Sequence, residues 1–219
     1  MSKGLTKELM ALRCIRELEE GAYVNLGAGI PQLVGLFSAE KALILQGENG
    51  VLGYGSIIEK KEDADPDLTD AQGHPVSPGR GISCFDLCTS FIMIRGGRLD
   101  ASILGAYQVS EKGDLANSAR GSRFYMFGGA MDLAFGAKRI IVLMEHTTDS
   151  GEPKILKECA YPLTARRAVG TIITNLAFLT ITPEGMVIEE TAPGVTVEQV
   201  QEATEPELRV SPDLKEMEI

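Results

Sequence analysis

The chain has 219 residues, of which 44% are hydrophobic and 24% are charged, and its formal net charge is −10. Such a composition is ordinary for a globular protein with a substantial core, while the acidic balance argues against nucleic-acid binding. No apolar run approaches the roughly 20 residues that span a bilayer, and the N-terminus lacks the apolar core of a signal peptide, so we expect a cytoplasmic protein with no membrane partner.

The first fifty residues predict a helix, a strand, a second helix and a second strand. Thr6 is placed to cap a helix that ends near residue 20, since apolar residues recur there at helical spacing. Residues 23–26 read as a strand, residues 31–37 begin with proline and suit a helix, and residues 42–46 read as the next strand. This order is a βαβ unit, which implies a parallel sheet with a right-handed crossover.

The remainder of the chain continues this alternation after a polar excursion, or flap, at residues 59–81. The predicted elements are a helix at 85–94, strands at 101–104 and 140–144, a hairpin of 177–182 with 186–190, and a helix at 196–204. The tail after about residue 205 is acidic, and we expect it to be mobile. Residues 1–219 are therefore predicted to be one α/β domain: an open, mostly parallel sheet with helices on both faces and a C-terminal β-hairpin.

Three glycine-bearing loops, at residues 27–29, 47–50 and 128–129, follow or face predicted strands. At one edge of a parallel sheet, such loops expose backbone N–H groups that can bind an anion. The first loop is not a dinucleotide fingerprint, because Gln32 stands where a third glycine is needed and Pro31 removes a donor. The sequence also has no Walker A motif. We therefore predict no tightly bound nucleotide cofactor.

Glu48 lies between two glycines, directly after the second predicted strand and before an Asn-Gly pair that favours a tight turn. Open α/β sheets place their chemistry at the carboxyl ends of strands, although an acid in such a turn can equally be a solvated loop residue. A carboxylate can act as a covalent nucleophile without histidine, which suits acyl transfer. Backbone amides and Asn25 are candidates for stabilising the resulting oxyanion.

The histidines and cysteines give little support to other chemistries. His146 ends a predicted strand, but no serine stands in a nucleophile elbow, so we predict a structural, hydrogen-bonding role for it. Cys84 and Cys88 have helical spacing without a second metal-binding pair, and Cys14 and Cys159 do not complete a disulfide framework. The sequence therefore predicts no metal site.

Several motifs, in the same order along nearly the whole chain, carry a family resemblance. They are Tyr-Val-Asn-Leu-Gly-Ala-Gly-Ile-Pro at 23–31, Gln-Gly-Glu-Asn-Gly-Val-Leu-Gly at 46–53, Ile-Arg-Gly-Gly-Arg-Leu-Asp at 94–100, Gly-Asp-Leu-Ala-Asn at 113–117, Gly-Gly-Ala-Met-Asp-Leu at 128–133, Met-Glu-His-Thr at 144–147 and Tyr-Pro-Leu-Thr at 161–164. In these motifs the chain resembles the β subunit of a family I coenzyme A transferase, the 3-oxoacid group that includes acetate–acetoacetate, succinate and 3-oxoadipate transferases.

The resemblance implies a fold and a set of site residues. The fold is an open α/β sheet of the kind shared with ribose-5-phosphate isomerase. Glu48 takes the place of the family's catalytic glutamate, while the Asn25 side-chain amide and the Gly129 N–H match the groups that stabilise the thioester oxyanion. The further residues expected at the site are the oxyanion-side glycines Gly27, Gly29 and Gly128 and the pocket-lining residues Gly47, Asn49, Gly50 and Tyr54.

Two departures from the family pattern concern the pocket. Gly47 replaces the serine that usually precedes the glutamate, which removes a hydroxyl that could orient Glu48. Residues 53–56 read Gly-Tyr-Gly-Ser where the family usually has Gly-Leu-Gly-Pro, near the acyl pocket. The catalytic positions are retained, but the acids exchanged stay open.

The resemblance further implies a function: CoA transfer between an acyl-CoA and a short-chain carboxylic acid or 3-oxoacid, through a covalent glutamyl-CoA thioester on Glu48. Coenzyme A is then a co-substrate, no cofactor is tightly bound, and the partner is a separate α subunit, usually in an α2β2 heterotetramer. Two other functions stay open on the sequence. One is a sugar-phosphate isomerase of the same broad fold, with a carboxylate base, and the other is a non-catalytic binding subunit.

Overall fold

The computed structural model describes residues 4–58, 60–120, 123–124 and 128–219. The helices are α1 (Lys7–Ile15), α2 (Leu87–Arg95), α3 (Ala130–Gly136) and α4 (Val197–Glu202), with 3₁₀ helices at Ile30–Lys41 and Lys61–Asp63. The strands are β1 (Tyr23–Leu26), β2 (Ile44–Gly47), β3 (Val51–Ile57), β4 (Val76–Cys84), β5 (Ala101–Leu104), β6 (Gln108–Ser110), β7 (Leu115–Ala116), β8 (Ala119–Arg120), β9 (Arg123–Phe124), β10 (Ile140–Leu143), β11 (Ile155–Leu156), β12 (Thr171–Ile173), β13 (Ala177–Thr182), β14 (Gly185–Thr191) and β15 (Arg209–Glu216). No helix in the described ranges has the length and apolar character needed to cross a membrane.

Ten strands form one sheet in the order β15-β14-β13-β12-β10-β5-β1-β2-β3-β4. The central strands, from β12 to β2, pair in parallel, and antiparallel pairs flank them on both sides. The parallel pairing of β1 with β2 confirms the predicted βαβ topology, and β13 with β14 confirms the predicted hairpin. The predicted α/β fold class is therefore confirmed.

The centre of the sheet is its most deeply buried part. Both β5 and β10 are buried at every position, as expected of apolar runs in a parallel sheet with covered faces. Most of the buried hydrophobic side chains form one cluster, from Leu5 to Met217. Because β2, β1, β5 and β10 run in parallel, their carboxyl ends meet at one edge of the sheet.

Two N-terminal helices differ in extent or type from the sequence-based prediction. Thr6 caps α1 as expected, accepting a hydrogen bond from Leu9 N at 3.3 Å, but the helix ends at Ile15 rather than near residue 20. Beyond Ile15 the backbone turns more tightly than an α-helix does, because Leu18 N donates to Ile15 O, three residues earlier. The predicted helix at 31–37 is a 3₁₀ helix that continues to Lys41.

Two further segments have more regular structure than the sequence suggested. The predicted excursion at 59–81 contains the start of β4, where Val76 is buried and pairs with Ile57 of β3; Glu59 lies outside the described residues. The expected mobile tail instead forms β15, which adds to the sheet beside β14. Backbone pairing and the burial of Met217, which is 3% exposed, hold this acidic segment against the sheet.

Candidate active site

A cavity of about 370 Å³ lies at the edge of the sheet where the central parallel strands end. Its lining includes Leu26 at the end of β1, Glu48 after β2, Gly105 after β5 and Met144 after β10. Open α/β sheets bind their ligands at this edge, and the volume is at the lower end of small-molecule sites. The cavity is therefore the candidate active site.

A tight turn between β2 and β3 presents Glu48 to this cavity. Gly50 N donates to Gly47 O at 3.0 Å, which closes a β-turn around Glu48 and Asn49. Gly50 has φ +115°, and a Cβ there would overlap Phe85 O, so the position requires glycine. Phe85 N in turn donates to Gly50 O at 2.9 Å. The backbone thus fixes the point from which the Glu48 side chain extends.

Close packing explains why position 47 is glycine. A Cβ at Gly47 would lie 2.8 Å from Val51 Cγ1 and would also meet Asn49 Oδ1. The Asn49 side chain is held there, since its amide donates to Thr69 O at 2.9 Å and to Asp70 O at 3.3 Å. The space that a side chain at position 47 would need is therefore already filled.

Glu48 and Gly129, which are 81 residues apart in the sequence, meet at the cavity. Gly129 N donates to Glu48 Oε1 at 3.0 Å, and a Cβ at Gly129 would lie only 2.8 Å from Glu48 Cδ. Burial raises the pKa of the Glu48 carboxyl; the Gly129 N–H opposes this rise, and the nearby charge of Asp132 adds to it. The result is a partly desolvated carboxylate with a backbone donor aimed at one oxygen.

Asn25 borders the same cavity, but its amide hydrogens are both engaged. Asn25 Nδ2 donates to Gln46 O at 3.0 Å and to Gln46 Oε1 at 2.8 Å, and the residue is 2% exposed. Gln46 Nε2 continues the chain of hydrogen bonds by donating to Ser90 Oγ at 2.8 Å. The structure therefore places Asn25 at the site, with its donors directed to Gln46 rather than to open space.

The other predicted site residues divide into two groups. Gly27 and Gly128 line the cavity. Within the described part of the chain, the cavity lining does not include the remaining predicted residues, which are Gly29, Gly47, Asn49, Gly50 and Tyr54. The turn that carries Glu48 is instead formed and packed by Gly47, Asn49 and Gly50.

Tyr54 lies in a different place from the one that the family resemblance suggested. It lines a separate cavity of about 40 Å³, together with Leu33 and Asp70. The residue is 9% exposed. Burial, reinforced by the charge of Asp70, raises the pKa of the Tyr54 hydroxyl. Tyr54 therefore packs behind the turn and does not reach the cavity of Glu48.

His146 has a structural position, in agreement with the sequence-based prediction. It is fully buried, with Nδ1 2.8 Å from Thr174 Oγ1 and Nε2 2.8 Å from Thr204 Oγ1. Burial, with a smaller contribution from the charge of Lys154, lowers its pKa to about 4, so the ring is neutral at pH 7. Among the described residues, no cluster of three His, Cys, Asp or Glu side chains could hold a metal ion.

The cavity also contains polar residues that the sequence analysis did not select. They are Gln72, Tyr107, Asn117, Ser118, Glu145 and Lys154. Lys154 is held by its backbone, since its N donates to His146 O at 3.2 Å and its O accepts from Val109 N at 3.0 Å. A lysine between a proline and an isoleucine has no motif or periodicity that marks it, so only the strand pairing reveals its place.

Similarity to known proteins identifies the family. The family model described as coenzyme A transferase matches residues 7–203. The chain belongs to the coenzyme A transferase family. The B-type subunit of the 3-oxoadipate CoA-transferase of Pseudomonas putida is 43% identical over 203 residues, which cover 92% of this chain and 95% of that relative. The beta subunit of the acetate CoA-transferase of Haemophilus influenzae is 42% identical over 215 residues, which cover 97% and 96%. This CoA-transferase chain is thus of the β type.

A solved structure shares the fold of this CoA-transferase subunit. It is the apoenzyme of an acyl-CoA transferase from Escherichia coli O157:H7, with a TM-score of 0.81 and 24% sequence identity. The match covers 98% of this chain and 43% of that chain, so this chain spans less than half of the Escherichia coli protein. At this identity, the likeness shows the common fold.

Proposed function

We propose that this chain is the catalytic β subunit of an enzyme that transfers coenzyme A between an acyl-CoA and a short-chain carboxylic acid or 3-oxoacid. Glu48 forms a covalent glutamyl-CoA thioester, and coenzyme A is a co-substrate. The observation that carries the proposal is the Glu48 carboxylate, held by the Gly129 N–H at 3.0 Å beside a cavity at the carboxyl edge of the sheet. Membership of the coenzyme A transferase family supports the class of reaction.

The reaction proceeds through a series of exchanges at two carbonyl groups. A Glu48 carboxylate oxygen attacks the thioester carbonyl of the acyl-CoA, and the CoA thiolate leaves as an acyl-glutamyl anhydride forms. The thiolate then attacks the glutamyl carbonyl and expels the carboxylate of the donor acid, which leaves a Glu48–CoA thioester. The incoming carboxylate reverses these steps and departs as its CoA ester. Thioester and anhydride are both activated acyl groups, so the exchange is nearly balanced in free energy and needs no ATP. Because the intermediate is covalent, the enzyme should show ping-pong kinetics.

The surroundings of Glu48 suit a carboxylate nucleophile. Carboxylates are weak nucleophiles in water, because hydration stabilises their charge. Burial raises the pKa of Glu48 and so makes its carboxylate more basic, while the Gly129 N–H favours the ionised form. The two effects together give a carboxylate that is less hydrated than in water and has a backbone donor that favours its ionised form.

Gly129 supplies a donor for the charge that develops on the glutamyl group. Its N–H already lies 3.0 Å from Glu48 Oε1, and this oxygen carries the negative charge when the thiolate attacks the glutamyl carbonyl. A donor that is in place before the reaction needs no reorganisation during it. We assign Asn25 as a second donor, which requires its amide to exchange a hydrogen bond from Gln46 to the oxyanion.

A separate α subunit completes the enzyme in this proposal, as an α2β2 heterotetramer. Support comes from the relatives, whose names specify a B or a beta subunit. The Escherichia coli acyl-CoA transferase contains this fold in 43% of its length, which leaves room for a second unit in the same chain. The cavity of about 370 Å³ suits an acyl group and its thioester, so most of the coenzyme A molecule would lie outside it, within reach of a partner.

Borohydride trapping tests the covalent step. The complex of this chain with its α subunit is treated with acyl-CoA and then with borohydride, which reduces a glutamyl thioester to an alcohol. We expect the mass of the Glu48 peptide to change in the wild type and to stay unchanged in Glu48→Gln. Glu40→Gln, at an exposed glutamate, is the matched control and should behave as the wild type. An unmodified Glu48 peptide in an active complex would contradict the covalent mechanism.

A further inference from the structure

A row of polar side chains is buried beside the candidate active site. Asn25 on β1 lies opposite Gln46 on β2 and opposite Ser102 on β5 in the parallel register, so these three side chains are on one face of the sheet. Ser90 on α2 packs against this face, where its Oγ accepts from Gln46 Nε2 at 2.8 Å. All four residues are at most 2% exposed. Burying polar groups is costly unless they are hydrogen-bonded, so the partners of each group decide what the row can do.

Asn25 is the member of this row that borders the cavity. In the described ranges, the lining of the cavity does not include Gln46, Ser90 or Ser102. The backbone oxygen of Gln46 can only accept, so its 3.0 Å hydrogen bond from Asn25 Nδ2 fixes the nitrogen end of the Asn25 amide towards β2. Gln46 Oε1 accepts from the same nitrogen at 2.8 Å. Gln46 therefore contacts the site through Asn25.

The oxygen end of the Asn25 amide faces the cavity. None of the described residues donates to Asn25 Oδ1. Among these residues, however, Ser102 Oγ is the one fully buried side-chain nitrogen or oxygen that has no hydrogen-bond partner. Asn25 Oδ1 is therefore accessible, and the cavity is the space that Asn25 borders. The resting site thus presents an acceptor at a point where an oxyanion needs a donor.

We propose that Gln46 is a positioning residue, which acts by turning the Asn25 amide between two directions. This inference rests on the proposed function, because the Asn25 donor serves the oxyanion that forms at Glu48. In the turned arrangement, Gln46 Nε2 donates to Asn25 Oδ1 and the Ser90 hydroxyl, which can donate as well as accept, donates to Gln46 Oε1. Asn25 Nδ2 then points into the cavity. Only hydrogen-bond partners are exchanged, and no covalent bond changes.

The negative charge of the oxyanion drives this rearrangement. Turning the Asn25 amide gives up its hydrogen bond to Gln46 O, and that carbonyl then faces Asn25 Oδ1, so the free enzyme favours the resting arrangement. A hydrogen bond to a charged acceptor is about twice as strong as one between neutral groups, so an oxyanion in the cavity shifts the balance to the turned arrangement. Without Gln46 Nε2, the turned Asn25 Oδ1 would be buried with no donor, which is a costly state for a polar atom.

Single-turnover kinetics of the complete enzyme test the role of Gln46. The rate of adduct formation on Glu48 is measured at saturating acyl-CoA for Gln46→Met, whose side chain is similar in length but has no amide. We expect this rate to fall by about 10-fold, within the range of about 2- to 13-fold that one neutral hydrogen bond represents. The acyl-CoA concentration at half-saturation should stay unchanged, because the oxyanion forms only during the reaction. In an Asn25→Ala background, Gln46→Met should change the rate by less than about twofold, since its effect passes through Asn25.

Two buried serines on the same side of the sheet supply a matched pair of variants. Ser90→Ala removes the hydroxyl that holds the Gln46 amide, and it should lower the rate by about 2- to 5-fold, again only when Asn25 is present. Ser102→Ala removes a hydroxyl that has no partner among the described residues and lies outside the chain of hydrogen bonds. It should leave the rate unchanged and should not lower the thermal unfolding midpoint.

The outcomes separate this inference from the proposed function. If Gln46 only stabilises the fold, Gln46→Met lowers the rate by the same factor with and without Asn25. That result, or a Gln46→Met rate within about twofold of the wild type, would overturn the role of Gln46 and leave the adduct on Glu48 in place. No trapped adduct on Glu48 of the wild type would instead remove the covalent mechanism, and this inference with it. If Gln46→Met does not fold, the same comparison with Ser90→Ala decides.

Discussion

Gly129→Ala would disturb the contact between the proposed nucleophile and its backbone donor. Gly129 has φ −84° and ψ 4°, which alanine adopts without strain, so the cost to folding should be small. The added Cβ, however, would lie 2.8 Å from Glu48 Cδ, closer than non-bonded atoms approach. The carboxylate is at the end of a flexible side chain, and it is therefore the group that moves.

The size of the effect follows from the hydrogen bond that this movement breaks. Gly129 N lies 3.0 Å from Glu48 Oε1, and loss of one oxyanion donor typically slows a reaction by about 10²–10³, or about 2.7–4 kcal/mol. Alanine keeps the N–H, so the loss comes from misplacing the carboxylate. We expect a rate lower by about 10²-fold.

The assay combines the CoA-transfer rate, the rate of borohydride-trapped adduct formation and the thermal unfolding midpoint. Gly170→Ala is the matched control, because a Cβ at Gly170 meets no atom within 4 Å, and it should leave all three unchanged. A Gly129→Ala enzyme within threefold of the wild-type rate, with the same unfolding midpoint, would refute the role assigned to this contact.

Three further predictions concern charge. Arg13→Met should lower the free energy of unfolding by about 3–5 kcal/mol. Arg13 Nε lies 2.6 Å from Oε2 of the buried Glu190, and Arg13 Cζ lies 4.6 Å from the centroid of the Phe178 ring. A change of less than about 1 kcal/mol in urea denaturation would contradict this prediction. The acid limb of the pH profile of kcat/KM should have an apparent pKa above 4.5, the ordinary value for a glutamate carboxyl, because burial raises the pKa of Glu48 and only the ionised form attacks. An apparent pKa at or below 4.5 would count against Glu48 as the nucleophile. The pKa of His146 is lowered from 6.5 to about 4 in the folded protein, so on acidification the unfolded state takes up a proton before the folded state does. The free energy of unfolding should therefore fall by about 3 kcal/mol as the pH falls from 6.5 to 4. His146→Asn should lose this dependence, which denaturation series at pH 4.5 and pH 7 would measure.

The position of Glu48 could be predicted from the sequence because its causes are local. An apolar strand, Gly47 before the acid and the Asn49-Gly50 pair after it favour a turn at the carboxyl end of β2. The observed hydrogen bond from Gly50 N to Gly47 O closes that turn. The approach of Gly129 depends on contacts 81 residues away. It followed from the family resemblance, and no local pattern contains it.

Tyr54 and Lys154 show where the prediction from sequence ends. The register of β3 against β2 shifts between Leu45 and Gln46, so that β3 has one extra residue between Leu52 and Tyr54. One extra residue in a strand changes the face on which the following side chains lie. Lys154 reaches the cavity because β11 pairs with β6, two short strands without a clear pattern of their own. In both cases, pairing between distant segments decides where the side chain lies.

The Gly47–Gly50 turn has a consequence for how this nucleophile can change. Phe85 blocks every side chain at position 50, and Val51 and Asn49 fill the space at position 47, so neither flank can move the carboxylate sideways. The distance by which the carboxylate extends from the turn is then set only by the number of methylene groups in the side chain. Aspartate at position 48 would keep the turn and the charge, but its carboxylate would end one carbon short of Gly129. The packing at positions 47 and 50 leaves no room for a backbone shift that would restore the distance.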